Sequence, residues 1–176
     1  QLAEQLKTSL MQDWTALGKP VLITACPSCT RFLTEAVPEV KCISLPEFIC
    51  SNGIYPDMDN NIAKGREFAV FDPCAARENH NMQDAVRKIL NKKNIKFFEL
   101  EQKGNYGCCG FGGDISVANP EIADFIAEKR ADMTQAPYIT YCINCRDVFA
   151  DRNKEAVHIL DVLFGDSCIS GESADF

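Results

Sequence analysis

Long hydrophobic runs are missing from this chain. No apolar stretch approaches the roughly 18 to 20 residues that cross a bilayer, so the chain itself is not expected to be membrane-embedded. Positive charge is also short. Lys and Arg number 18 against 25 Asp and Glu, a net charge of −7. Nucleic-acid partners are held largely by Lys and Arg, so a phosphate-binding surface is not expected. The balance suits solubility, or docking to a basic partner. A nucleotide loop is absent as well. The glycine-rich stretch from Gly107 runs G-x-x-G-x-G rather than G-x-G-x-x-G, and no Gly-Lys-Ser/Thr follows it. The first residue is Gln1 rather than Met, which leads us to expect an upstream segment that carries any targeting signal.

What is present is ordinary except for cysteine. The 176 residues fit one domain, or two small halves sharing a core. Apolar content of 46% with eleven Phe supplies that core. Ten cysteines are unusual. In a short secreted domain they would indicate disulfides, but here they are clustered in a longer chain, and a reducing, cytoplasmic compartment fits better.

Hydrophobic periodicity predicts a helix over residues 2–17, with Leu2, Leu6, Leu10 and Trp14 forming a core-facing stripe. Short apolar runs over 21–25, 40–44, 67–71, 95–100 and 138–141 read as strands of the buried, parallel kind. Helices are expected over 29–37, 46–51, 80–91, 120–133, 146–152 and 159–164, the fourth of these opening on the cap pair Asn119-Pro120. Residues 51–64 read as a connector. Strands alternating with helices indicate an α/β fold with a mostly parallel, Rossmann-like sheet.

The chain also repeats itself. Residues 20–33 and 137–149 each run Pro, strand, C-x-x-C, then helix. The offset of 116 between Cys26 and Cys142 also lays residues 3–14 on 119–130 and Val40–Phe48 on Ala156–Phe164. The expectation is a pseudo-twofold arrangement: residues 1–52 as the back part of a first repeat truncated at its N-terminus, and residues 65–176 as a complete second one.

From Cys74 to Cys145 the cysteines follow C-x33-C-C-x32-C-x-x-C. Cys74, the Cys108/Cys109 turn and Cys142 each follow a predicted strand or lie in the loop after one. Strand ends of a parallel sheet converge on one edge, so thiols distant in sequence can meet there. Gly107, Gly110, Gly112 and Gly113 allow close backbone approach and present N–H groups to sulfur. Several chemistries remain open: a vicinal disulfide, a structural zinc, thioredoxin-like exchange at either C-x-x-C, or a cluster. Five cysteines exceed the tetrahedral need of zinc, which favours a cluster.

The stretches FDPCAAREN, GCCGFGG and YCINC, with the earlier ACPSC, resemble the CCG, or cysteine-rich, domain found in heterodisulfide reductase. Related sequences occur in the iron–sulfur subunits of glycolate and lactate oxidases. The resemblance implies that Cys74, Cys108, Cys109, Cys142 and Cys145 hold a 4Fe–4S cluster, noncubane in heterodisulfide reductase. It further implies electron transfer from a flavoprotein or iron–sulfur subunit, with reduction of a small thiol or disulfide substrate as one outcome. The alternative is a zinc-binding docking module of a redox complex. Cys26 and Cys29 are expected as remnants of a site completed upstream, either a partial metal site or bare thiols. Membrane association, if any, would come through partners.

The remaining candidates have bland readings. Cys42, Cys50 and Cys168 read as small buried hydrophobes. His158 is expected to be structural, His80 to lie at a helix start in a surface or capping role, and Arg77 to be a surface cation near Cys74.

Overall fold

The computed structural model describes residues 2–56, 61–100 and 107–165. The first part holds α1 (Leu2–Ala16), β1 (Leu22–Thr24), α2 (Pro27–Ala36), β2 (Cys42–Ser44) and α3 (Leu45–Asn52). A 3-10 turn at Asn61–Ala63 leads to β3 (Glu67–Phe71), a second 3-10 turn at Cys74–Ala76, α4 (His80–Lys92) and β4 (Lys96–Glu99). Then come α5 (Ile115–Ala118), α6 (Pro120–Ala131), β5 (Tyr138–Thr140), α7 (Ile143–Ala150), β6 (Ala156–His158) and α8 (Ile159–Phe164). Cys168 and residues 101–106 lie outside the described residues.

The fold is α/β with parallel pairing throughout the described strands. One sheet has the order β4-β3-β5-β6, and a two-stranded sheet pairs β1 with β2. This is the arrangement of a Rossmann-like sheet, with β3 inside and the chain leaving it first to one side and then to the other. β3 shows why it is central. Strand side chains alternate between faces, and its residues from Phe68 to Phe71 are buried on both. Phe68 and Val70 join Val86, Ile89, Ile139, Ile159 and Leu163 in the larger core cluster. Ala69 and Phe71 turn the other way, to Tyr138, Phe149, Cys109, Cys142 and Cys145.

The first part packs against the second through α3. Ile49 of α3 is buried in the larger cluster beside residues of α4, and the Cys50 thiol donates to the Ala85 carbonyl at 3.3 Å. Cys42 and Cys50 are half-buried rather than fully buried.

Two expectations are corrected. The stripe on α1 does not face a core along its length: Leu2 and Leu6 are 69% and 62% exposed. Only the C-terminal turns of α1 reach a neighbour, where Trp14 packs on Val37 and Val40 with Leu10 and Met11 alongside. Trp14 also donates its indole N–H to the Pro20 carbonyl at 2.7 Å. The second correction concerns the register of the repeat. β1 and β5 are 116 residues apart, but Cys42 and Ala156, the first residues of β2 and β6, are 114 apart. The cause lies between them: α2 has 10 residues and α7 has 8. At the new offset the ends agree, since Ser44 with Glu47 and His158 with Asp161 each form a capping box opening α3 and α8.

Candidate metal centre

Two of the expected cysteines, Cys74 and Cys142, stand where a strand has just ended. β3 runs into Asp72-Pro73-Cys74, and Cys74 opens the 3-10 turn. Cys142 follows β5 and is the N-cap of α7, so Cys145 lies in that helix's first turn. The C-x-x-C therefore opens the helix, which periodicity alone starts only at residue 146. Cys108 and Cys109 come in on the turn before α5. β3 and β5 are neighbours in the sheet, and their C-terminal ends flank the point where the strand order reverses, the usual seat of ligands in parallel sheets.

All five expected thiols are brought together there. The Cys145 thiol donates to the Cys109 sulfur at 3.3 Å. Cys74 and Cys109 both hydrogen-bond to Cys108, and Cys145 also hydrogen-bonds to Cys142. The sulfurs thus form one proton-sharing chain. Cys108 is held far below the usual thiol range by the hydrogen bonds from Cys109 and Cys74, and the amides of Gly110 and Gly112 add to this against the cost of burial. Cys142 is lowered to about 6 by the Cys145 thiol, with the Cys145 and Asn144 amides also helping against burial. The donors move the opposite way. Cys109 is raised to about 11 by donating a hydrogen bond to Cys108, with burial adding to this. Cys74 is raised by its hydrogen bond to Cys108 and by burial, and Cys145 by those to Cys109 and Cys142. Cys109, Cys142 and Cys145 are buried; Cys74 and Cys108 are half-exposed.

Gly110 shows how tightly the turn is seated. Its φ is +94°, and a Cβ there would lie 2.5 Å from the Ala123 carbonyl oxygen of α6. Both demands leave only glycine. Its N–H donates to the Cys108 sulfur at 3.2 Å.

Below the sulfurs the walls are aromatic. Phe149 meets Phe71 and Tyr138 edge-on, with ring centroids 4.8 and 5.1 Å away. Thr140, two residues before Cys142, shares a strand face with Tyr138, and its buried hydroxyl has no hydrogen-bond partner among the described residues. Above the site a cleft of about 860 Å³ runs between the Cys74–Met82 segment and α2. Cys74 and Cys108 reach it from one side, and Thr30 and Arg31 from the other, with Arg77 and His80 also lining it. Arg77 is thus beside Cys74, as its position in sequence implies.

Cys26 and Cys29 are not part of this cluster. They lie at the start of α2, with Cys29 exposed and its thiol raised by the hydrogen bond with Cys26. The two histidines take different places. His158 is buried and caps α8, its Nδ1 accepting from the Leu160 N–H at 3.2 Å. His80 is the first residue of α4, with Asn79 as the cap. Sequence reasoning missed Asp72, Arg87, Glu99 and Tyr141, which link side chains beneath the site. Tyr141 and Asp72 sit next to motif cysteines, and that adjacency was the available signal.

Residues 68–150, which include all five cysteines, match the family model described as the CCG cysteine-rich domain. Over these residues, just under half of the chain, it is similar to the CCG cysteine-rich domain family. Curated relatives agree. The chain is 29% identical over 140 residues to one of the subunits of fumarate reductase (CoM/CoB) from Methanothermobacter marburgensis, covering 73% of this chain and 27% of that one. It is 25% identical over 138 residues to one of the subunits of dihydromethanophenazine:CoB–CoM heterodisulfide reductase from Methanosarcina mazei, covering 71% and 34%. A shorter match, 42% over 62 residues, links it to lactate utilization protein A of Oceanobacillus iheyensis, covering 33% and 25%. The chain therefore spans between a quarter and about a third of the length of these relatives. No helix among the described residues is long and apolar enough to cross a membrane.

Proposed function

We propose that this chain is an iron–sulfur redox module in which Cys74, Cys108, Cys109, Cys142 and Cys145 hold a 4Fe–4S cluster. The observation that carries this reading is the meeting of five thiols from separate segments at one end of the parallel sheet. The donor set fits: thiolates are the ligands of such clusters, and Cys108 and Cys142 are already favoured as thiolates by neighbouring thiols and backbone amides. The Thr140 hydroxyl leaves one buried donor unused on the same face. Among the described residues, no three His, Cys, Asp or Glu side chains are arranged to hold a single metal ion. Five thiols exceed the four ligands that a tetrahedral zinc takes, which favours a multi-iron core over mononuclear zinc.

Bound there, the cluster supplies one-electron chemistry. The chain's own residues do the rest. The amides of Gly110 and Gly112 and of Asn144 and Cys145 stabilise negative sulfur. Phe71, Tyr138 and Phe149 keep the buried side dry. The cleft over Cys74 and Cys108 is the open side, large enough to admit a small thiol or disulfide in the manner of a heterodisulfide reductase. Electrons are supplied by a partner flavoprotein or iron–sulfur subunit, in keeping with relatives that are named as subunits. A cytoplasmic location is part of this reading. In the same reading residues 1–52 are the back part of a first CCG repeat and residues 65–176 a complete second one.

Anaerobic purification with iron and acid-labile sulfide analysis, and EPR of the oxidised form, tests the proposal. The expected result is coloured protein with iron and sulfide in similar amounts. Colourless protein with neither, or one zinc per chain and no iron, would overturn it.

A further inference from the structure

Directly beneath the thiols lies a second set of contacts that the cysteine pattern does not contain. Arg87 of α4 donates to both oxygens of Asp72, at 2.6 and 2.7 Å, and to both oxygens of Glu99, at 3.0 and 2.7 Å. Tyr141 donates its hydroxyl to Asp72 Oδ1 at 2.8 Å. Tyr141 is fully buried, and the Asp72 and Arg87 side chains are 14% and 17% exposed. The positions give these contacts their meaning. Asp72 follows β3 and lies two residues before Cys74. Tyr141 follows β5 and lies one residue before Cys142. Glu99 ends β4. One guanidinium and one phenol thus tie the C-terminal ends of three adjacent strands at the point where two of them deliver cysteines.

We propose that the Asp72–Tyr141 hydrogen bond, anchored by Arg87, is a brace that sets the separation of Cys74 from Cys142. These are positioning residues acting through the backbone next to each cysteine. The inference builds on the cluster reading, because a fixed spacing matters most if both thiols must meet one group. Stability alone is a weaker account. A buried ion pair costs desolvation and contributes little net stability, whereas a bidentate guanidinium restricts geometry in two directions at once. The β3–β5 pairing ends at Phe71 and Thr140, so beyond that point the side-chain contact continues what the ladder no longer provides.

The test uses the full chain with Tyr141→Phe, which removes one oxygen, and Asp72→Asn, which keeps an acceptor for the hydroxyl but loses the charge facing Arg87. In the metal-free protein, the alkylation rate of each thiol by iodoacetamide is read by peptide mass spectrometry. Loss of one buried hydrogen bond raises local opening about fivefold, so Tyr141→Phe is expected to quicken Cys74 and Cys142 by that factor. Cys26 and Cys29, in the other half, are expected to keep their rates. Asp72→Asn, which also takes a charge from the mostly buried Arg87 pair, is expected to raise the same two rates at least as much, and it carries the comparison if the phenylalanine variant does not fold. Equal acceleration at all four cysteines, or no change at Cys74 and Cys142, overturns the brace. In cluster-loaded protein the brace predicts an altered EPR spectrum with iron content retained. If wild-type protein takes up no iron, the cluster reading fails, while the alkylation rates still decide the brace.

Discussion

The segment from Leu22 to Asn52 and the segment from Tyr138 to Phe164 pass through the same elements in the same order: strand, C-x-x-C helix, parallel strand, capped helix. They end in different surroundings. β5 has β3 on its other side, which delivers Cys74, and the Cys108–Cys109 turn lies over its helix. Among the described residues β1 pairs with β2 alone, and Val21 and Ile23 are about half exposed. As a result Cys145 is 3% exposed and shares its proton with Cys109, whereas Cys29 is exposed and faces Cys26. The difference teaches that a C-x-x-C at a helix start is only half of a site. The neighbouring strand and turn decide whether it becomes a binding centre.

The largest expected effect breaks the comparison outright. Cys145→Ser should abolish most iron binding, measured as iron per chain after anaerobic purification, while Cys26→Ser and Cys29→Ser should leave it unchanged. Equal losses in both modules would erase the distinction. A smaller effect concerns what supports each helix. Phe149 of α7 is fully buried against two aromatic rings, so Phe149→Ala should cost about 3–5 kcal/mol in denaturant unfolding. Its counterpart at the 116-residue offset, Leu33, is only partly buried, and Leu33→Ala should cost about 1–2 kcal/mol.

The smallest effect sharpens the comparison at the caps. Ser44→Ala should remove about 1 kcal/mol at any pH near neutrality. The equivalent cap, His158, behaves differently because it titrates. Burial lowers its pKa below the ordinary 6.5. The unfolded chain therefore takes up this proton first, and stability should fall as the pH drops below about 6.5 until the folded-state pKa is passed. Protonation also removes the Nδ1 acceptor that caps α8. His158→Asn keeps a capping side chain and should flatten that part of the stability–pH curve. A wild-type curve with no slope there would show that the capping histidine does not report on folding.

Much of the site was legible because its determinants are local. Strand, turn and cysteine follow one another in sequence at Cys74 and at Cys142, and short apolar runs mark the strands. The α/β, parallel-sheet architecture followed from their alternation with helices. What was not legible depends on partners distant along the chain. Arg87 meets Asp72 across 15 residues, and Tyr141 meets the same carboxylate across 69. No periodicity encodes either pair. The stripe on α1 misled because periodicity gives an apolar face but not what covers it, and Leu2 and Leu6 extend past the neighbours that bury Trp14. The repeat misled by two residues for a simpler reason. Offset matching assumes equal helices, and α7 is two residues shorter than α2.

The glycine at 110 has a mechanical consequence. With the backbone of α6 lying where a side chain would begin, there is no slack between that helix and the Cys108–Cys109 turn. Helix and turn meet backbone to backbone, so even one added methyl at position 110 would have to push α6 and the Cys108–Cys109 turn apart.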